Sequence, residues 1–198
     1  MAKPAYIVIT PVRDESPHVR RTIDALRSQT VPPAYWVVVD DGSTDGTGQI
    51  LDTCAKEIAW MTVLHRPDRG RRVNGSGVME AFYSGYATVC DARWDYLVKL
   101  DGDLSFGADY FERCFARFDA DPRLGIAGGT VCRLNDGELV VDSKSDPPFH
   151  VRGATKIYRH ACWTAVSPLA MAPGWDTVDE VKAKTKAKLA IGAGVKAA

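Results

Sequence analysis

Trp36-Val37-Val38-Val39 runs directly into Asp40-Asp41-Gly42-Ser43-Thr44-Asp45-Gly46, and this stretch sets the architecture. A continuous β-branched run without polar alternation suits a strand buried on both faces, as in parallel sheets covered by helices. The acidic, glycine-containing segment after it reads as a turn into a helix capped by Asp45 or Thr44, because Asp, Ser and Thr accept from unpaired backbone N–H groups there. Similar runs recur at Tyr6–Thr10, Met61–Leu64, Tyr96–Leu100 and Leu124–Val131. Helical patterns lie between them. Ser16-Pro17 opens a helix over Ser16–Ser28 with Val19, Ile23 and Leu26 at helical spacing. A second helix after Asp45 carries Ile50, Leu51 and Cys54, and Gly77–Cys90 and Asp109–Phe118 supply two more. The alternation predicts an α/β fold, a mostly parallel central sheet flanked by helices. After Val131 the pattern changes. Asn135-Asp136-Gly137 predicts a hairpin into Glu138–Val141, Asp142–Pro148 a polar loop, and Thr155–Trp163 another helix. The domain is expected over residues 1–181, with the Lys/Ala-rich tail 182–198 frayed.

The 198 residues are enough for one domain with a real core, since about 70% of the unfolded surface can be buried at this size. Hydrophobic residues make up 45% and charged residues 25%, the mix of an ordinary globular protein. Lys+Arg and Asp+Glu balance at 25 each, so no net charge steers the chain to nucleic acid. The five cysteines contain no CxxC pair, which argues against zinc-ribbon and thioredoxin-type sites and for a reduced compartment. No apolar run approaches the ~20 residues of a membrane span, and Tyr6–Thr10 is too short for a signal peptide. A cytoplasmic protein is expected. Asn74-Gly75-Ser76 matches a glycosylation sequon but lacks that context.

In open α/β sheets, ligands bind beyond the carboxyl ends of the strands, so the residues after each apolar run carry the functional information. These are Pro11-Val12-Arg13-Asp14-Glu15, then Asp40-Asp41, then the arginines Arg66, Arg69, Arg71 and Arg72, then Asp101-Gly102-Asp103. Acidic, acidic, basic and acidic groups on one edge suit a diphosphate ester and a divalent cation. Asp101 and Asp103 can converge on one Mg²⁺ or Mn²⁺ that keeps water and phosphate oxygens in its other positions. Each motif also has a plain structural reading. DxD is a common string and Asp103 could cap a helix; Asp40 and Asp41 could serve only a turn; the arginines could be a solvated loop. Other signatures are missing. Gly70–Gly75 has P-loop spacing but Ser76 stands in place of lysine, GxGxxG, HExxH and GxSxG are absent, and the four histidines show no ligand spacing.

Taken together, these blocks resemble the family-2 glycosyltransferases of GT-A fold, inverting enzymes that use nucleotide-diphosphate sugars. Ile9–Glu15 is similar to the family's opening strand and P-x-x-N-E turn, with Asp14 in place of Asn. Ser28-Gln29-Thr30, Val38–Thr47 and Lys99–Asp103 are similar to its second and DxD blocks. The resemblance is good from Tyr6 to about Val131. It implies that Pro11 and Glu15 hold the nucleoside, Asp40 and Asp41 read base and ribose, and Asp101 and Asp103 manage metal and sugar-diphosphate. Val78 stands where relatives often carry a lysine, and Arg71 or Arg72 is the candidate for the missing charge. Within Gly174–Glu180, Asp176 is the candidate general base, although Trp175 replaces the family's Glu and Ala187 its glycine; Asp179 and Glu180 are the competing assignments. The implied partners are a nucleotide-sugar donor and a saccharide or lipid-linked acceptor, with no nucleic acid and with contact at the inner face of a membrane compatible. A nucleotidyltransferase and a non-catalytic nucleotide-sugar-binding module stay open as alternatives.

Overall fold

The computed structural model describes residues 3–71, 75–143, 146–147, 149–185 and 188–197; Arg72, Asn74 and Ala187 lie outside these. Four strands run parallel in the order β3 (Met61–His65), β2 (Tyr35–Asp40), β1 (Tyr6–Val12), β4 (Tyr96–Leu100). Then β7 (Thr155–Arg159) enters antiparallel between β4 and β5 (Leu124–Asn135). At the far side, β6 (Glu138–Val141) pairs antiparallel and β8 (Ala190–Ala197) parallel with β5.

The unalternating apolar runs are explained by two cores. Along β1, Tyr6 and Val8 face one core, and Ile7 and Ile9 the other. The first core is closed by α1 (Val19–Arg27), α2 (Thr47–Ala55) and α4 (Tyr110–Ala120), through Ile23, Leu26, Leu51, Phe111, Phe115 and Phe118. The second is closed by α3 (Ser76–Tyr86), α5 (His160–Val166) and α6 (Trp175–Thr185), through Met79, Phe82, Trp163 and Trp175. With both faces covered, apolar residues are needed at consecutive strand positions.

Three expectations need correction. Residues 155–163 form β7 and then α5, not one helix. The strand is inserted between two neighbours, which pair Ile157 with both Val98 and Ala127. Its fully buried Lys156 is neutralised by Asp179 and Glu180 of α6, distant in sequence. Ser16 does not cap α1: the helix begins at Val19, and the Ser16 N–H donates to Asp45 Oδ2 at 2.9 Å. At α2 the N-cap position is taken by Gly46, and Asp45 just before it accepts from the Thr47 N–H at 3.0 Å through Oδ1. Among the described residues, α6 runs to Thr185 across the expected boundary of 181, and β8 pairs with β5, with Leu189 and Ile191 packing on the second core. Among the described residues, no helix is long and apolar enough to cross a membrane.

Candidate active site

The register Val12↔Asp40↔His65 aligns the carboxyl ends of β1, β2 and β3 at one edge, and β4 ends beside them at Leu100. A cavity of about 290 Å³ opens there. Pro11 and Glu15 form one wall, Asp101, Gly102 and Asp103 another, and Gly153, Trp175 and Asp176 a third. Gly102 is required by the close approach of β1, since a Cβ there would lie 2.4 Å from Val12 Cγ1. Lys99 is buried at the floor, donates to the Asp101 carboxylate, and lies 5.7 Å from the centre of the Trp175 ring. Lys156 Nζ lies 5.6 Å from the same ring. Lys99 and Lys156, paired across β4 and β7, thus both present their ammonium groups to the Trp175 ring, which holds the start of α6 against the sheet.

The three acidic residues of α6 separate cleanly. Asp176 lines the cavity, with Oδ2 accepting from the Gly153 N–H at 2.9 Å. Asp179 is buried, accepts from Lys156 Nζ at 2.9 Å, and accepts from the Tyr158 hydroxyl. Burial pushes the Asp179 carboxyl above the usual range against the pull of Lys156. Glu180 accepts from the Val151 N–H at 2.8 Å, lies 3.2 Å from Lys156 Nζ and contacts His150 Nδ1 at 3.1 Å. Of these three, only Asp176 faces the cavity.

Beside the cavity, Asp40 and Asp41 are both largely buried. Asp40 accepts from the Ser43 N–H at 2.9 Å through Oδ1 and meets His65 Nδ1 at 2.9 Å through Oδ2. Asp41 accepts from Arg66 at 2.8 Å and from Arg69 at 2.5 Å, and Arg69 also reaches Glu80 at 2.7 Å. Arg13 donates to the Asp41 carbonyl and to Asp68 Oδ1, both at 2.5 Å. The arginine loop therefore lies directly on the Asp-Asp-Gly turn. At Gly42, whose φ is +75°, a Cβ would be 2.4 Å from Asp68 Cα.

The family model for glycosyl transferase family 2 matches residues 7–161. The chain belongs to that family. It is 33% identical over 107 residues to an undecaprenyl-phosphate mannosyltransferase of Micrococcus luteus, covering 54% of this chain and 41% of that protein. It is 29% identical over 133 residues to a polyprenol monophosphomannose synthase of Mycolicibacterium smegmatis, covering 63% and 47%. It therefore spans less than half the length of either relative. Among solved structures, a mannosyltransferase from Pyrobaculum calidifontis in complex with GDP-Man and Mn²⁺ superposes with a TM-score of 0.71 at 21% identity, over 98% of this chain and 55% of that one. TarS 1-349 of S. aureus in complex with UDP gives 0.69 at 19% identity, over 90% and 54%. The architecture is the GT-A fold.

In this family-2 chain the structure gathers Pro11, Glu15, Asp101, Asp103 and Asp176 around one cavity and places Asp40 and Asp41 on the adjoining turn. Arg71 is exposed and is not among the residues lining the cavity; the neighbouring Arg66 and Arg69 are engaged by Asp41 and Glu80. Val78 does line it. The sequence reading missed Lys99, Gly153 and Trp175 as cavity residues, and His65 as a partner of Asp40. Lys99 stood inside the DxD block, but only the sheet shows that its side chain turns back to Asp101.

Proposed function

We propose that this chain transfers a hexose from a nucleotide-diphosphate sugar to an acceptor hydroxyl with inversion. The observation that carries the reading is that the Asp176 carboxylate faces the same cavity as the Asp101–Asp103 pair. Inversion needs one in-line displacement at the anomeric carbon. The Asp176 carboxylate takes the acceptor hydroxyl's proton, a contribution worth about 10²–10⁴-fold in rate. The Gly153 N–H fixes one Asp176 oxygen and so sets the direction of the other. Pro11, Glu15 and the Asp40–Ser43 turn form the nucleoside subsite, with Asp41 reading the base or ribose once one of its arginines is displaced.

The donor set fits a hard divalent cation. Asp101 and Asp103 bring carboxylate oxygens to the cavity wall, the hard oxygen donors that a Mg²⁺ or Mn²⁺ retaining waters and phosphate oxygens takes. These two residues would hold Mg²⁺ or Mn²⁺, which supplies charge neutralisation to the departing diphosphate. The relatives' names point as well to a lipid-linked acceptor, which would bring the protein to the inner face of a membrane; the proton-removing role of Asp176 applies to a hydroxyl acceptor, since a polyprenyl phosphate attacks through an oxygen that is already ionised. A nucleotidyltransferase is disfavoured by Pro11–Glu15, which replaces the glycine-rich, basic loop such enzymes carry after the first strand. The test is incubation of radiolabelled GDP-mannose and UDP-GlcNAc with Mn²⁺ and, in separate reactions, a saccharide acceptor and a polyprenyl phosphate. Transfer or slow donor hydrolysis supports the reading. Tight donor binding with neither reaction favours a non-catalytic binding module.

A further inference from the structure

His65 ends β3 directly opposite Asp40 in the parallel register, and its ring is bonded on both sides. Nδ1 meets Asp40 Oδ2 at 2.9 Å and Nε2 meets Asp52 Oδ1, from α2, at 3.0 Å. Asp40 is buried and turns its other oxygen to the Ser43 N–H, so the carboxylate links the imidazole to the backbone of the turn that carries Asp41 and Gly42. The space for this contact depends on a glycine in α2. A Cβ on Gly48 would stand 3.0 Å from Asp40 Oδ2 and 3.4 Å from His65 Cε1. The next residue, Arg66, directs its guanidinium away, to Asp41 and Glu80. His65 itself is not among the residues lining the cavity.

We propose that His65 is a positioning residue of the donor site: the bridge Asp52–His65–Asp40 holds the Asp40 carboxylate against the Ser43 N–H, and thereby sets the 40–43 turn for the nucleoside. The inference rests on the reading of that turn as the nucleoside subsite. Among the described residues, Asp40 has no other side-chain donor. When the imidazole is removed, a buried carboxylate loses the side-chain hydrogen bond that opposes its rotation off Ser43. The Nδ1 contact matters for the turn, whereas the Nε2 contact to the exposed Asp52 steadies the ring.

The two amide side chains separate these contacts. In His65→Asn the amide nitrogen occupies the Nδ1 position and keeps the bond to Asp40. In His65→Gln it reaches the Nε2 position and serves Asp52 instead. The measurement is calorimetric titration with GDP and with UDP, each with Mn²⁺, beside steady-state kinetics with whichever sugar nucleotide is turned over. His65→Ala and His65→Gln are expected to weaken nucleotide binding on the order of tenfold and to raise the donor KM alike, with kcat unchanged. His65→Asn is expected to retain most of the affinity. Wild-type affinity in His65→Gln, or equal weakness in His65→Asn and His65→Gln, overturns the positioning role while the donor reading stands. Binding of neither nucleotide by the parent protein overturns the donor reading and this inference together.

Discussion

Asp176 and Asp179 stand one helical turn apart, and replacing each with asparagine should give opposite signatures. Asp179 and Lys156 both have fully buried side chains, 2.9 Å apart. Asp179→Asn removes one anion from a buried set and leaves the Lys156 ammonium with less compensation, a change that costs about 3–5 kcal/mol. Glu180, 3.2 Å from the same ammonium, limits the loss, so the lower part of that range is expected. Asp176→Asn has no such cost. The amide oxygen can still accept from the Gly153 N–H, and the side chain faces a cavity rather than a buried cation. Its loss falls on proton removal, and transfer to a hydroxyl acceptor should drop on the order of 10²-fold or more with donor affinity and stability close to the parent's. Denaturant unfolding and a transfer assay under conditions where each variant is folded measure the two effects separately. If Asp179→Asn is as stable as the parent but inactive, the base is assigned to the wrong turn of α6. If Asp176→Asn retains the parent's rate, the catalytic reading of α6 is wrong.

Three further outcomes follow from the same geometry. A nucleoside diphosphate with Mn²⁺ at 100 times its Kd should stabilise the fold by about 2.7 kcal/mol, and Asp103→Ala should abolish the Mn²⁺-dependent part of the Tm shift; an unchanged metal effect would remove Asp103 from the site. Gly153→Ala would place a Cβ 2.6 Å from Trp175 Cζ2, so transfer should fall with a lowered Tm, and a variant with parental Tm and rate would show that the start of α6 can move freely. The Asp52 and Asp40 carboxylates hold the His65 imidazole above its usual pKa. Because the folded pKa is the higher one, the stabilisation is complete below the unfolded pKa of about 6.5 and is lost as pH rises through the folded value. The Tm difference between parent and His65→Ala should therefore shrink as pH increases over that interval; a difference that grows with pH contradicts the bonded imidazolium.

The sequence by itself determined the α/β order from Tyr6 to Val131 and the acidic and basic blocks at the strand ends. Burial on both faces demands consecutive apolar residues, as in Trp36–Val39, and that demand is local enough to read in a string. The close of the chain was not legible in the same way. Residues 155–159 form a strand because β4 and β5 offer free edges on either side, and Lys156 is tolerated there because Asp179 and Glu180 arrive from α6. Residues 190–197 form a strand because β5 presents its other edge. Among the acidic residues of α6, Asp176, Asp179 and Glu180 are similar as residue types near a helix start, and any of them could satisfy the helix dipole. The tertiary structure alone turns Asp176 to the cavity and buries the other two against Lys156, because the direction of a helical side chain has meaning only once its neighbours are in place. The same holds for Asp40: its position in a turn was visible in the sequence, but its bond to His65 exists only because β2 and β3 pair in register.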